Sequence, residues 1–152
     1  MDKGSREKRV RAAKSQTGVT LLELMVVIAI VGILAAFATP ISLQWRANRY
    51  LSNGAREIHA AIQYARLQAV KQNANVVINF NIANDSYTVS GSGTLRSGTL
   101  EGVDITSANF SGNTFVTFNY RGFANAGMVT LQGSNGDTRQ VVVLSTGNSQ
   151  IQ

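Results

Sequence analysis

Residues 14–24 read Lys14-Ser-Gln-Thr-Gly-Val-Thr-Leu-Leu-Glu-Leu24, and an apolar run begins inside this stretch. Of the 20 residues at positions 19–38, all are apolar except Thr20, Glu23 and Gly32. A helix crosses the hydrocarbon core of a bilayer with about 20 apolar residues. The run therefore predicts a membrane-spanning helix that carries one carboxylate near its beginning.

The chain ahead of this run is basic. Residues 1–18 contain six Lys or Arg side chains and two acidic ones, which gives a net charge of +4. A basic flank of this kind stays on the cytoplasmic side of a membrane. A carboxylate in the middle of a span opposes insertion by about 2.5–3.5 kcal/mol, and by less near the end of the span. Glu23 therefore needs a function of its own.

These residues resemble the class III signal of type IV pilins and type II secretion pseudopilins. In that family a basic leader ends in Gly, a prepilin peptidase cuts after it, and the new amino terminus is N-methylated. Gly18 stands at the cleavage position, and Val19 would be the first mature residue, where the family most often has Phe. Glu23 and Pro40 match the family's glutamate and proline.

The resemblance also implies a role for the carboxylate. In the assembled filament Glu23 would face the amino-terminal ammonium of a neighbouring subunit, so that two groups unfavourable in lipid form a pair. We assign Thr20 and Pro40 to assembly together with Glu23. Two other interpretations leave the Gly18–Glu23 pattern unexplained: an ordinary signal anchor, and a secretory signal peptide cleaved after Ala36-Phe37-Ala38.

Length and composition limit the rest of the chain. After an 18-residue leader and a bilayer-length span, about 110 residues remain, which is enough for one small domain. The chain has no cysteine, so this domain is held together without disulfides. We divide the chain into a cleaved leader, the transmembrane and assembly half of a helix, its amphipathic half, and an antiparallel β domain. Their limits are 1–18, 19–39, 40–72 and 73–152.

The amphipathic half follows from a stripe of apolar residues spaced three and four apart, which is the repeat of one helix face. The stripe consists of Leu51, Ala55, Ile58, Ile62, Ala65 and Ala69. We expect it to form a seam with a sheet, and we expect one helix from Val19 to about Gln72 with a kink at Pro40. The basic residues of this half fall mostly off the stripe and predict a solvated face. Trp45 and Tyr50 suit either the headgroup region or a contact between subunits.

After Asn73 the apolar period changes to two, which indicates strands. Residues 76–83 and 87–89 predict a hairpin around a turn at 83–86. Residues 90–113 are rich in Gly and Ser and predict a long loop with one or two strands. Further strands are expected at 115–119, 128–132 and 138–144, the last two pairing antiparallel around the turn at 133–137. The predicted fold class is α+β, with the long N-terminal helix packed on a small antiparallel β domain.

This half of the chain is similar to the GspH/FimT-type minor pilins. Their order is a Phe-rich strand, a Gly-containing turn, a strand, a polar hairpin tip and a final apolar strand that ends in Gly. The segments 115–119, 121–122, 127–131 and 141–147 follow that order. The resemblance implies an inner-membrane protein with a single span, whose β domain lies in the periplasm before the subunit enters a pilus or pseudopilus.

No arrangement of residues predicts an enzyme, a cofactor or a metal site. His59 is the only histidine, and with no cysteine beside it we interpret it as a surface or boundary residue. The carboxylates of the β domain are scattered over its loops, without the spacing of a calcium loop. The resemblance implies instead a structural subunit whose partners are prepilin peptidase, other pilins or pseudopilins, and the inner membrane.

The alternative is a binding module that a filament displays for DNA uptake or adhesion. FimT-type pilins active in DNA uptake carry a carboxyl-terminal Gly-Arg-x-Arg segment, but this chain has Gly147-Asn-Ser-Gln150 at that place. Phosphate contacts depend on cationic side chains. Residues 73–152 contain three basic and four acidic side chains, a net charge of −1. Nucleic acid is therefore not an expected partner.

Overall fold

The computed structural model describes residues 18–152, without the side chains of residues 37–43. Apart from Gly18, the predicted leader lies outside the described residues. The chain divides into two compact units, the first ending at Thr39 and the second spanning Pro40–Gln152.

Helix α1 spans Leu21–Gln72 and continues through Pro40. The side chain of Pro40 is outside the described part, so the kink stays a prediction. The helix ends at the predicted place because Asn73 takes the left-handed conformation, with φ 50°. The amides of Asn73 and Ala74 donate to the carbonyl oxygens of Val70 and Ala69, the double closure known as a Schellman motif.

Eight strands follow the helix, and a short 3-10 helix, Ile82–Asn84, separates the first two. They are β1 (Val76–Asn81), β2 (Ser86–Ser90), β3 (Thr94–Thr99), β4 (Val103–Asn109), β5 (Phe115–Phe118), β6 (Gly127–Gly133), β7 (Thr138–Val143) and β8 (Ser149–Ile151). They form two four-stranded sheets, in the orders β3-β2-β1-β5 and β4-β6-β7-β8. All described pairings are antiparallel.

The predicted hairpins are confirmed. β1 pairs with β2, and β6 pairs with β7 around the turn that ends at Asp137. In β1 the alternate residues Val76, Ile78 and Phe80 are buried, as the period of two predicts. The first hairpin turns through Asn81, whose side-chain oxygen accepts from two amides of the 3-10 helix.

Two polar side chains join separate elements of the β domain. The Asp85 carboxylate accepts from the Ile105 amide at 2.7 Å, and the Asp85 carbonyl accepts from the Leu100 amide. Because Asp85 directly precedes β2 and Ile105 lies in β4, the bond to the carboxylate connects the two sheets. The Asn125 side chain accepts from the Thr117 amide at 2.6 Å and donates to the carbonyls of Phe110 and Phe115.

The core is one cluster that contains residues of the helix and of both sheets. The largest fully buried side chains include Tyr87, Phe110 and Phe118. Phe80 of β1 and Phe110, which directly follows β4, stack with ring centroids 5.6 Å apart. The α+β class is thereby confirmed.

The segment 90–113 contains two strands, within the number expected, but it has less loop than expected because β3 and β4 occupy 13 of its positions. Both strands carry irregular patterns for a physical reason. β3 is an edge strand without a buried residue, and a bulge between Ile105 and Ser107 breaks the alternation of β4. The three-residue strand β8, in contrast, was not predicted.

Candidate functional site

The beginning of α1 is built around Thr20 and Glu23. The Thr20 hydroxyl accepts a hydrogen bond from the Glu23 amide at 3.2 Å, and the Thr20 carbonyl accepts from the Leu24 amide at 3.1 Å. Thr20 is thus the N-cap of the helix, and Glu23 is its third residue. A carboxylate in the first turn also interacts favourably with the helix dipole, by about 0.3–1 kcal/mol.

The sequence contained a signal for this cap. Thr20-x-x-Glu23 ahead of an apolar run is the capping-box pattern, which predicts a helix N-terminus at Thr20. Gly18 and Val19 precede the helix and are exposed. No atom of the described residues lies within 4 Å of the place where a side chain at Gly18 would begin. Within the part of the chain that the structure describes, the Gly18–Val19 peptide is therefore open on a non-helical segment.

The first unit presents apolar side chains around its whole helix. The large hydrophobic residues from Val19 to Leu34 are each 50–76% exposed. A helix that is apolar on all sides is normally buried in protein or lipid. Among the described residues no helix meets the length and apolarity that crossing a membrane requires. The predicted span at 19–39 stays a prediction.

In the second unit the predicted seam residues are all buried. They are Leu51, Ala55, Ile58, Ile62, Ala65 and Ala69, each no more than 2% exposed. All six belong to the core cluster that also contains both sheets. At Gly54, a side chain would meet Val103 of β4 at 3.5 Å, so the helix lies close to the second sheet there.

A polar contact also crosses the seam. The Tyr87 hydroxyl of β2 donates to the Glu57 carboxylate of α1 at 3.0 Å. Burial raises the pKa of the Tyr87 phenol, the bond to Glu57 raises it further, and Arg96 lowers it. Gly98 lies opposite Tyr87 in β3, and a side chain there would come within 2.7 Å of both partners.

The carboxyl-terminal segment is fastened to the helix by side chains. The Ser149 hydroxyl accepts a hydrogen bond from the side-chain Nε2 of Gln63 at 2.9 Å. It also shares a hydrogen bond of 2.9 Å with His59 Nδ1. Arg66 donates to the Asn148 side-chain oxygen at 2.7 Å. His59 is thus a boundary residue with a structural contact, as the sequence predicted.

Two turns meet next to Arg66. Gly147 and Gly122 both have positive φ values, 79° and 81°, and both are buried. A side chain at Gly147 would overlap with the carbonyl oxygen of Gly122 and would lie 3.1 Å from Arg66 Nε. Gly147 is therefore part of a packed junction of two turns, whereas Asn148 and Gln150, the positions that match the two arginines of the FimT-type segment, are exposed.

The remaining chemistry of the described residues is sparse. Between residues 18 and 152 no three His, Asp or Glu side chains are close enough to hold a metal ion. Arg96, Arg121 and Arg139 are exposed and lie on three different elements, and Arg121 stacks over Tyr120 at 5.3 Å.

Two family models match the chain. Residues 13–39 match the prokaryotic N-terminal methylation motif, and residues 54–147 match the type II transport protein GspH. The second match covers more than half of the chain. No curated protein matches the sequence.

Solved structures of two proteins have a similar fold. The type IV minor pilin FimU of Pseudomonas aeruginosa PAO1 is 19% identical, with a TM-score of 0.57 over 69% of this chain and 90% of FimU. The minor pseudopilin EpsH, from the type 2 secretion system of Vibrio cholerae, is 9% identical. Its TM-score is 0.55 over 67% of this chain and 95% of EpsH. At these identities the likeness concerns the fold.

Proposed function

The chain belongs to the family of the type II transport protein GspH, and on this premise we propose that it is a structural subunit processed after Gly18 by prepilin peptidase. The processed subunit, with Val19 N-methylated, joins a type IV pilus or a type II secretion pseudopilus. It acts as a minor pilin or pseudopilin and carries out no catalysis. Before assembly it spans the bacterial inner membrane once, with the β domain in the periplasm.

One observation carries this proposal. Gly18 and Glu23 lie at the start of a capped helix whose apolar side chains the described residues leave exposed, inside the segment that matches the methylation motif. Such a surface needs lipid or other subunits to cover it. The open Gly18–Val19 peptide also supports cleavage at that position. Filament display of a DNA-binding or adhesive surface stays an alternative prediction.

The Glu23 carboxylate now has two possible roles, and they can be separated. As a local group it stabilises the first turn of α1 together with Thr20. As an assembly group it pairs with the amino terminus of a neighbouring subunit, which is our proposal. Losing the acid makes the span more apolar, so neither membrane insertion nor processing should suffer from its removal.

The experiment expresses the full chain with its peptidase and filament machinery, and compares Glu23→Ala, Thr20→Val and Thr20→Ser. Amino-terminal sequencing should give Val19 for all of them, and a start at Thr39 would contradict the proposed leader. We expect Glu23→Ala to be absent from sheared filaments, and Thr20→Val, which keeps the carboxylate but loses the cap, to be incorporated in reduced amounts.

Thr20→Ser keeps both the hydroxyl and the carboxylate and serves as the matched control. If Thr20→Val is lost from filaments as completely as Glu23→Ala while Thr20→Ser is retained, weakening the first turn of the helix is enough to prevent assembly, and the loss of Glu23→Ala no longer assigns a pairing role to the carboxylate. Normal amounts of Glu23→Ala in filaments would remove the assembly role altogether.

A further inference from the structure

A cluster of aromatic and cationic side chains lies at the start of the second unit. The Arg49 guanidinium lies over the Trp45 ring, 4.5 Å from its centroid. Arg46 and Tyr50 are exposed beside them, and Trp45 is 60% exposed. With Asn53, these side chains line an open groove of about 310 Å³ on one side of the helix.

In the part of the chain that the structure describes, the guanidinium groups of this groove are not ion-paired, although Glu57 and Glu101 line the adjacent pocket. Within the described residues, neither Arg46 nor Arg49 has a carboxylate at ion-pair distance. The nearest acid along the helix is Glu57, and its carboxylate already accepts from Tyr87. Guanidinium groups bind phosphate through paired N–H donors. The groove therefore fits a phosphate-bearing anion. The Trp45 indole orients the Arg49 guanidinium by stacking against it.

The position of the cluster along the chain indicates which anion it meets. Trp45 follows the apolar run at 19–38 by seven residues, which is about 10 Å of helix. The polar region on each face of a bilayer is about 5–8 Å thick. Helical side chains lean toward the N-terminal end of their helix, so Trp45, Arg46 and Arg49 lean back toward residue 40. Trp and Tyr favour the headgroup level.

We propose that Trp45, Arg46 and Arg49 bind the headgroup of an anionic phospholipid while the subunit is in the membrane before assembly. The inference rests on the proposed function, since it requires the membrane stage of the subunit. The lipid phosphate occupies the groove between the two guanidinium groups, and the indole lies at the boundary of the acyl chains. Withdrawal of the subunit into a filament breaks this contact.

The test uses the sole tryptophan of the chain as its probe. The full chain is reconstituted into vesicles of phosphatidylcholine and phosphatidylglycerol, in which one lipid or the other carries brominated acyl chains at the same mole fraction. We expect brominated phosphatidylglycerol to quench Trp45 several-fold more than brominated phosphatidylcholine, because each arginine near the surface favours anionic lipid by roughly fivefold. Added salt should reduce the preference.

In the variant Arg46→Gln/Arg49→Gln, the two brominated lipids should quench Trp45 fluorescence equally. Arg56→Gln is the matched control, since Arg56 is an exposed arginine of the same helix outside the groove, and it should keep the full preference. Equal quenching by both lipids in the unsubstituted chain would overturn the proposal. So would an Arg56 variant that loses the preference for anionic lipid as completely as the double variant does. An indole that stays in water in vesicles and is shielded in sheared filaments would assign the surface to a subunit contact and overturn it too.

Leader processing is measured in cells for the same variants, which separates the two proposals. Absent lipid preference with normal processing overturns the lipid site and leaves the proposed function standing. If the chain does not bind vesicles in a flotation assay and residues 1–18 are not removed in cells, both the lipid site and the proposed function are overturned.

Discussion

At the scale of single residues, polar side chains add specific contacts to a seam that is mostly apolar. Tyr87 is 1% exposed, yet its hydroxyl reaches Glu57 on the helix. The sequence shows Tyr87 only as a strand residue, because its partner is 30 positions away. The Thr20 cap, in contrast, can be predicted from the four adjacent residues Thr20 to Glu23. Local polar contacts can be predicted from spacing, and contacts between distant elements need the fold.

The contact of Tyr87 with Glu57 predicts a pH dependence of stability. The pKa of Tyr87 is raised in the folded state, whereas in the unfolded chain the phenol loses its proton near pH 10. Above about pH 10 the unfolded state therefore binds fewer protons than the folded state, and the free energy of unfolding falls as pH rises. This contribution is fully present below that pH and is lost as pH rises through the folded pKa.

Urea unfolding between about pH 8 and 11 measures this slope. Tyr87→Phe should unfold with a flatter dependence on alkaline pH than the unsubstituted chain. Tyr120→Phe changes a tyrosine that is 46% exposed and should keep the original slope. Identical slopes in all three proteins would contradict the assignment.

At the scale of elements, helices and strands could be located from the sequence where their apolar residues repeat regularly. The α1 stripe and the β1 alternation repeat without a break, and both elements lie where they were expected. β4 is interrupted by its bulge, and β8 has only three residues, so neither repeats often enough to be recognised. Their positions are fixed by pairing with β6 and β7, which is information from distant parts of the chain.

The contact between two turns gives a prediction at this scale. Gly147→Ala should destabilise the protein strongly, because a methyl group there combines a positive φ with overlap on the Gly122 carbonyl. Gly136 has a similar φ of 86°, and nothing lies within 4 Å of its missing side chain. Gly136→Ala should therefore lose only the conformational part, about 1–2 kcal/mol.

Thermal unfolding of both variants checks this difference. The excess loss of stability in Gly147→Ala measures the close approach of the turns. Equal losses of stability in the two variants would show that the turns at Gly122 and Gly147 can separate without destabilising the domain.

At the scale of the whole molecule, the second unit should unfold as one body, since its buried residues form a single cluster of helix and sheets. Ile62→Asp puts an unpaired carboxylate among them, where burial of a lone charge is opposed by several kcal/mol. A small domain is stable by only about 5–15 kcal/mol, so we expect this variant of Pro40–Gln152 to be largely unfolded.

Leu67→Asp is the matched control, because Leu67 lies on the same helix and is 62% exposed. Circular dichroism and tryptophan fluorescence should follow one transition in the unsubstituted unit and in this control, with stabilities within about 0.5 kcal/mol of each other. Separate helix and sheet transitions would contradict a common core.

The short strand β8 has a consequence for solubility. It pairs with β7, where Val141, Val142 and Val143 follow one another, and Gln140 and Gln152 exchange both of their backbone hydrogen bonds. Without β8 the outer side of β7 would be an unprotected edge of high β-propensity, the kind of template that recruits further chains into aggregates. With β8 in place, the free edge on this side of the sheet is a strand of only three residues, and so short an edge is a poor template for pairing with another chain.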